Sequence, residues 1–152
     1  MTKQEFKDFC HKDFTKRGFF KKKSMYYIKG KDLLCGLYLQ KSMGDAFYVE
    51  FDFFLNNYDD VKSYPTHYES DIYNRFTVLS KVTYKGEYFM DAMIEYERYT
   101  EEELQPYFDK VFKEHIMPVV LLGKKFILDD IDFYDNLTED KKIELKIKLS
   151  EN

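Results

Sequence analysis

His67, Glu69 and Asp71 stand at alternate positions of the chain. On a β-strand, side chains two apart point the same way, about 7 Å from one another. An imidazole and two carboxylates aligned like this form a donor set suited to a hard or borderline divalent cation. Glu50 and Asp52, spaced the same way on an earlier segment, would add two more oxygen donors. Arg75 shares this face and competes for the carboxylates. The plainer expectation is therefore a solvated, partly salt-bridged face with no metal and no cofactor. Tyr48 belongs to the same face by parity. A second acidic and aromatic mixture lies at Asp129-Asp130-Ile131-Asp132-Phe133-Tyr134-Asp135. Aromatic rings give rigid contact area, and carboxylates complement a basic partner. Tyr48, Glu50, Asp52, His67, Glu69, Asp71 and Arg75 are accordingly candidate partner-binding residues, joined by Asp129, Asp130, Asp132 and Tyr134. The competing reading of the second segment is an exposed acidic loop.

Other chemistry finds little support. His11 and His115 fall in helical stretches beside charged residues, as ordinary surface or boundary histidines do. No serine lies in a nucleophile-elbow pattern, and no glycine-rich phosphate loop is present. Carboxylate pairs can serve a glycosidase, but acidic pairs are too common here to discriminate. Cys10 and Cys35 lack metal or redox spacing and read as two buried thiols. No residue is assigned a catalytic role.

These residues need elements to hold them. Thr2 and Glu5 form a capping box, and Phe6, Phe9, Cys10 and Phe14 recur at helical spacing up to Gly18, so residues 3–17 read as an amphipathic helix. Phe19 to Ile28 reads as a first strand, in which Lys21, Lys22 and Lys23 are split between two faces. Leu33, Cys35, Leu37 and Leu39 mark a second strand. Phe47, Val49, Phe51, Phe53 and Leu55 mark a third, with Tyr48, Glu50 and Asp52 opposite. Short turns between them require antiparallel neighbours. Residues 56–66 read as a polar loop. A fourth strand is expected from His67 through Phe76, with Val78 to Tyr84 continuing extended, and a fifth from Tyr88 to Tyr96 after a turn at Lys85-Gly86. At Thr100 the period changes. Thr100 and Glu103 form a second capping box, and Leu104, Phe108, Val111, Phe112 and Ile116 follow at helical spacing. Pro106 weakens the first turn, and Pro118 should end or kink the helix. Residues 119–122 are apolar and expected to pack under the sheet edge. Residues 124–137 are ambiguous. Residues 138–149 alternate like a strand, yet Thr138 is a cap and Glu, Lys and Leu favour helix, which is the reading chosen.

The fold class is thus α+β. A five-stranded, mostly antiparallel sheet would carry an N-terminal helix and C-terminal helices on one face and leave the polar face open. The 152 residues suit one domain over 1–152, with 44% hydrophobic and 34% charged residues marking a globular chain. Aromatics reach 19%, all Phe and Tyr, which favours strands and a core of large rings. A net charge of −4 argues against general binding to phosphate backbones, so no nucleic acid is expected. No signal peptide or membrane-length apolar run appears, so no membrane association is expected and the protein reads as soluble and cytoplasmic. The abundance of Lys, Phe, Tyr and Asp beside scarce Ala suggests a low-GC bacterial genome.

Several motifs are familiar. Gly18-Phe19-Phe20-Lys21-Lys22-Lys23 follows the N-terminal helix, Leu39-Gln40-Lys41-Ser42 ends a strand, and Phe47-Tyr48-Val49-Glu50 opens the next. Arg75-Phe76 closes a strand, and Leu104-Gln105-Pro106-Tyr107-Phe108-Asp109-Lys110 lies in the helix after Thr100. Together they resemble the small bacterial domain-of-unknown-function family numbered forty-three zero four. The resemblance covers the first half of the chain and, more loosely, the helix from Thr100. Glu50 stands where a polar amide is the family pattern, and no Trp appears in the fifth strand. The resemblance implies a compact α+β protein and supplies no activity.

The residues themselves therefore carry the functional expectation. It is a non-enzymatic protein-binding module, in sharper form an immunity- or antitoxin-like protein that blocks a basic toxin domain through an acidic, aromatic surface. The alternative is a metal-dependent enzyme or small-ligand binder using the polar sheet face. Oligomeric state is not legible.

Overall fold

The computed structural model describes residues 1–151. The N-terminal helix α1 runs Lys3–Lys16, and both halves of its Thr2/Glu5 capping box are made. Gly18, at φ +101°, turns the chain out of the helix. The expected first strand is two short ones, β1 (Phe20–Lys22) and β2 (Met25–Lys29). Lys23, at φ 57°, makes the tight turn between them, which the lysine-rich stretch concealed. β3 (Leu34–Lys41) and β4 (Phe47–Phe54) follow as long antiparallel neighbours. Next come β5 (Ile72–Arg75), β6 (Val78–Leu79), β7 (Met90–Asp91) and β8 (Met93–Ile94).

The main sheet has six strands rather than five. Its order is β1-β2-β3-β4-β5, and β8 pairs with the start of β4 alongside β5. The expected long fifth strand is broken, because β7 leaves to pair with β6 in a separate hairpin. Lys85 and Gly86 have positive φ at the tip, where a turn was expected.

Register explains the two faces. Cys35, Leu37, Val49, Phe51, Phe53 and Ile72 face the helices and join one core with Phe6, Phe14, Phe108 and Phe112. The helices therefore pack on one face, and burial of this many large side chains dominates the stabilisation. The helical half begins with α2 (Glu101–Val111), capped by the Thr100/Glu103 box. Pro106 sits inside α2. Residues Phe112–Ile116 form one π-turn, with the Met117 N–H donating to the Phe112 carbonyl. Pro118 has no N–H to continue the regular ladder, and the widened turn absorbs that loss. α3 (Met117–Leu122), α4 (Lys124–Asp129) and α5 (Glu139–Ser150) complete the chain, and α5 settles residues 138–149 as helix. In α3, Val119 and Val120 are buried while Leu121 and Leu122 are exposed.

The second sheet face is not open. Residues 55–71 fold back across it as a strap. Met25, Tyr27, Leu34 and Phe54 form a small second core, against which Tyr38, Tyr58 and Tyr64 pack. The Tyr27 hydroxyl donates to the Pro65 carbonyl at 2.5 Å, and Lys22 Nζ donates to the Val61 carbonyl at 2.6 Å. The face is apolar at its β2 end, and that apolar area draws the cover. No helix among the described residues is long and apolar enough to cross a membrane.

Candidate functional site

The polar residues of the second face meet the strap. Tyr38, Glu50 and Arg75 lie in one row across β3, β4 and β5. His67 descends from the strap onto this row. Its ring stacks on Tyr38 with centroids 3.8 Å apart, the tilted Tyr68 ring lies against it at 4.0 Å, and its Nδ1 lies 3.4 Å from Glu50 Oε2. The Arg75 guanidinium lies over the Tyr48 ring at 3.9 Å and donates to Gln40 Oε1 at 3.2 Å. Asp52, two residues beyond Glu50, is fully buried, and neither of its carboxylate oxygens has a hydrogen-bond partner. Burial, and then the neighbouring Glu50, push the Asp52 carboxyl far above the ordinary carboxylate range.

The expected strand through His67, Glu69 and Asp71 is absent. Residues His67–Glu69 form a 3-10 turn, and β5 starts only at Ile72. Glu69 closes a capping box by accepting from the Thr66 N–H at 2.9 Å. Asp71 accepts from the Leu55 N–H at 2.7 Å and from Lys148 Nζ at 3.0 Å. The three residues therefore do separate structural work. Among the described residues, no three His, Cys, Asp or Glu side chains converge as metal ligands. His67, held against Glu50 and the Tyr38 ring, clamps the strap to the sheet. With the strap in place, Asp52 presents no surface to a partner. Cys10 and Cys35 are buried free thiols, and burial raises both thiol pKa values.

The acidic segment stands differently. Asp129 and Asp132 are exposed and Asp130 is half-buried. Tyr134, expected at this surface, is fully buried with its ring edge-on to Phe53 at 6.3 Å. Burial raises its hydroxyl pKa. Its place belongs to the core because the chain turns inward at Ile131 and Tyr134 and outward at Asp132 and Asp135. Asp130 lies 3.7 Å from His115 Nδ1, and Asp132 lies 3.4 Å from Lys142 Nζ. Asp129, Asp135 and Asp140 have no ion pair among the described residues.

Beside this acidic ridge is a cleft of about 480 Å³ between β5, α2, the π-turn and residues 133–135. Phe51, Met90, Tyr107, Val111 and Phe133 give it apolar walls, while Asn74, Arg75, Thr77, Lys110, Glu114, His115 and Asp135 supply polar groups of both charges. His115 stacks flat on Phe133, with centroids 3.7 Å apart and planes within 8°. The π-turn places Glu114 and His115 at this wall. Sequence reading passed over Tyr107, Glu114 and His115 as parts of a helix. The available signal was Pro118, which forces irregular backbone one turn after His115.

The family model described as a domain of unknown function, DUF4304, matches residues 10–120. No curated protein and no solved structure matches the chain. The matched segment contains the second half of α1, the whole main sheet, α2 and the π-turn.

Proposed function

The chain belongs to the DUF4304 family, and we propose that it is a non-enzymatic protein-binding module for a basic partner. The observation that carries this reading is the exposed acidic ridge of residues 129–140 beside an apolar-walled cleft. Asp129, Asp130, Asp132, Asp135, Glu139 and Asp140 occur there with no Lys or Arg between them. Lys142 pairs with Asp132 and Glu139, and the acids left without an ion pair among the described residues, Asp129, Asp135 and Asp140, carry the excess negative charge that would steer a basic partner. The adjoining cleft accepts an apolar anchor, the part of an interface that contributes most to affinity. The net charge of −4 points the same way. In sharper form, the protein is a bacterial, cytoplasmic immunity- or antitoxin-like factor that occludes a basic toxin domain. The binding surface in this proposal is the ridge and cleft, since the strap covers Glu50 and Asp52.

A pull-down of tagged protein from native lysate at low and high salt tests this, with the Asp129→Lys, Asp132→Lys, Asp135→Lys triple variant alongside. The expected result is a stoichiometric basic protein, released by salt and absent from the triple variant. Retention of that protein by a folded triple variant would defeat the reading. A second reading, small-ligand binding, rests on the cleft's volume and mixed lining, which suit a small polar molecule. Stabilisation in a metabolite thermal-shift screen, abolished by Tyr107→Ala, would favour it.

A further inference from the structure

Another cleft, of about 620 Å³, lies between α1 and the sheet, and its volume is in the range of small-molecule sites. Strand register opens it. β2 pairs with β3 only as far as Tyr38, so residues 39–41 run on past the end of β2. Leu39, Lys41 and Phe47, the partner of Lys41 on β4, line the cleft there. α1 forms the opposite wall. Its Phe6, Phe9 and Cys10 are buried in the core, while Lys3, Lys7 and His11, at i, i+4 and i+8, line the cleft.

The lining is cationic in a chain whose net charge is −4. Lys3 and Lys7 come from α1, Lys21 from β1 and Lys41 from the end of β3, against the single carboxylate of Asp8. Asp8 accepts from Gln4 Nε2 at 2.8 Å. Among the described residues none of these four lysines forms an ion pair, whereas Lys29, Lys81, Lys141, Lys142 and Lys148 each do. Lys7 Nζ and Lys41 Nζ lie 5.8 and 5.5 Å from the centre of one ring, Phe47, so cations from helix and sheet converge on it. Lys41 Nζ donates to the Ser42 and Gly44 carbonyls, which fixes its place without cancelling its charge. His11 Nδ1 is hydrogen-bonded with the Tyr26 hydroxyl at 2.8 Å, which leaves Nε2 for a ligand. Like charges gathered without counter-charges repel, and an anion seated among them relieves that repulsion.

Residue type distinguishes the anion. Ammonium groups bind phosphate as point charges, while the guanidinium fork suits planar carboxylates, and the lining holds no Arg. Cations arriving separately from α1, β1 and β3 match several linked phosphates better than one. Phe47 and Tyr26 are 2% and 4% exposed, and Tyr38 has a ring face taken by His67. The cleft therefore offers no open aromatic platform, the device that holds the bases of a single strand.

We propose that this cleft binds a chain of two or more linked phosphates, as carried by inorganic polyphosphate or by a nucleoside di- or triphosphate. The site is separate from the acidic ridge and does not depend on the basic-partner reading.

Isothermal titration of the full chain at low salt, without divalent cations, tests it. The probes are sodium tripolyphosphate, ATP, orthophosphate, citrate and a thymidine oligonucleotide. The variants are Lys7→Gln, Lys41→Gln and Lys125→Gln, all at exposed positions, with Lys125 on α4 and outside the cleft. Circular dichroism verifies that each folds, and Lys3→Gln replaces either cleft variant that does not. Tripolyphosphate is expected to bind about tenfold or more tightly than orthophosphate or citrate, and each cleft variant to weaken it about tenfold, with Lys125→Gln unchanged. ATP matching tripolyphosphate would assign the site to the phosphate chain alone, and ATP binding about tenfold more tightly would assign it to a nucleotide. No binding of tripolyphosphate would overturn the proposal. So would citrate binding as tightly, an equal loss in Lys125→Gln, or tighter binding of the oligonucleotide.

Discussion

Asp52 shows how a single residue can be legible in direction and hidden in consequence. The alternation of β4 puts Tyr48, Glu50 and Asp52 on the face opposite Val49 and Phe51, and they lie there. Alternation does not say what covers that face. Under the strap, burial and then Glu50 raise the Asp52 carboxyl, so the folded chain holds a proton that the unfolded chain releases from its ordinary value of 3.8. The folded-state pKa is the higher one. This group's contribution to stability is therefore complete below the unfolded value and is lost as pH rises toward the folded one. Asp52→Asn keeps the volume and removes the charge. Its melting temperature should exceed that of the wild type by about 5 °C at pH 8, with the difference vanishing below pH 4. Thermal melts across that range check this, and a variant destabilised at every pH would show that the carboxyl makes a contact the amide cannot.

At the scale of elements, local chemistry was the most reliable guide. The boxes at Thr2/Glu5 and Thr100/Glu103 and the cap at Thr138 each start a helix. Thr100 Oγ1 accepts from the Glu103 N–H at 3.2 Å while Glu103 returns a bond to the Thr100 N–H at 3.1 Å. Thr100→Ala should lower unfolding free energy by about 1 kcal/mol, read as a reduced urea midpoint with an unchanged slope. The same chemistry explains the failed strand at His67. Thr66 and Glu69 form another box, and with Pro65 before it this box outweighs the period-two pattern of residues 67–71. Thr66 and Glu69 stand at the capping-box spacing in the sequence, and the local hydrogen bonds of that box override the polar alternation. Likewise, Pro118 announced a break, while the form of that break, a π-turn carrying Glu114 and His115 to the cleft, depends on the packing of Phe112 and Ile116 in the core.

For the whole molecule, the distribution of charge matters more than its sum. The acids of β4 are removed from the surface, and the acids of residues 129–140 dominate the ridge beside the cleft. A partner drawn by this ridge should associate at a rate that falls about tenfold or more between 50 and 500 mM salt, with dissociation changing far less. The triple Asp→Lys substitution moves the net charge from −4 to +2 and should remove that salt dependence. Surface plasmon resonance with the captured partner measures both rates.

The sequence by itself determined the α+β class, the antiparallel order of the long strands, the capped helices and the apolar face of β4, because these follow from periodicity and local hydrogen bonding along the chain. It also placed the motifs of the family to which the chain belongs. Only the tertiary structure decided which acidic residues meet solvent. That outcome depends on the strap returning across the sheet and on Ile131 and Tyr134 docking into the main core. Both are contacts between distant segments, selected by the area they bury together, and no local pattern encodes them.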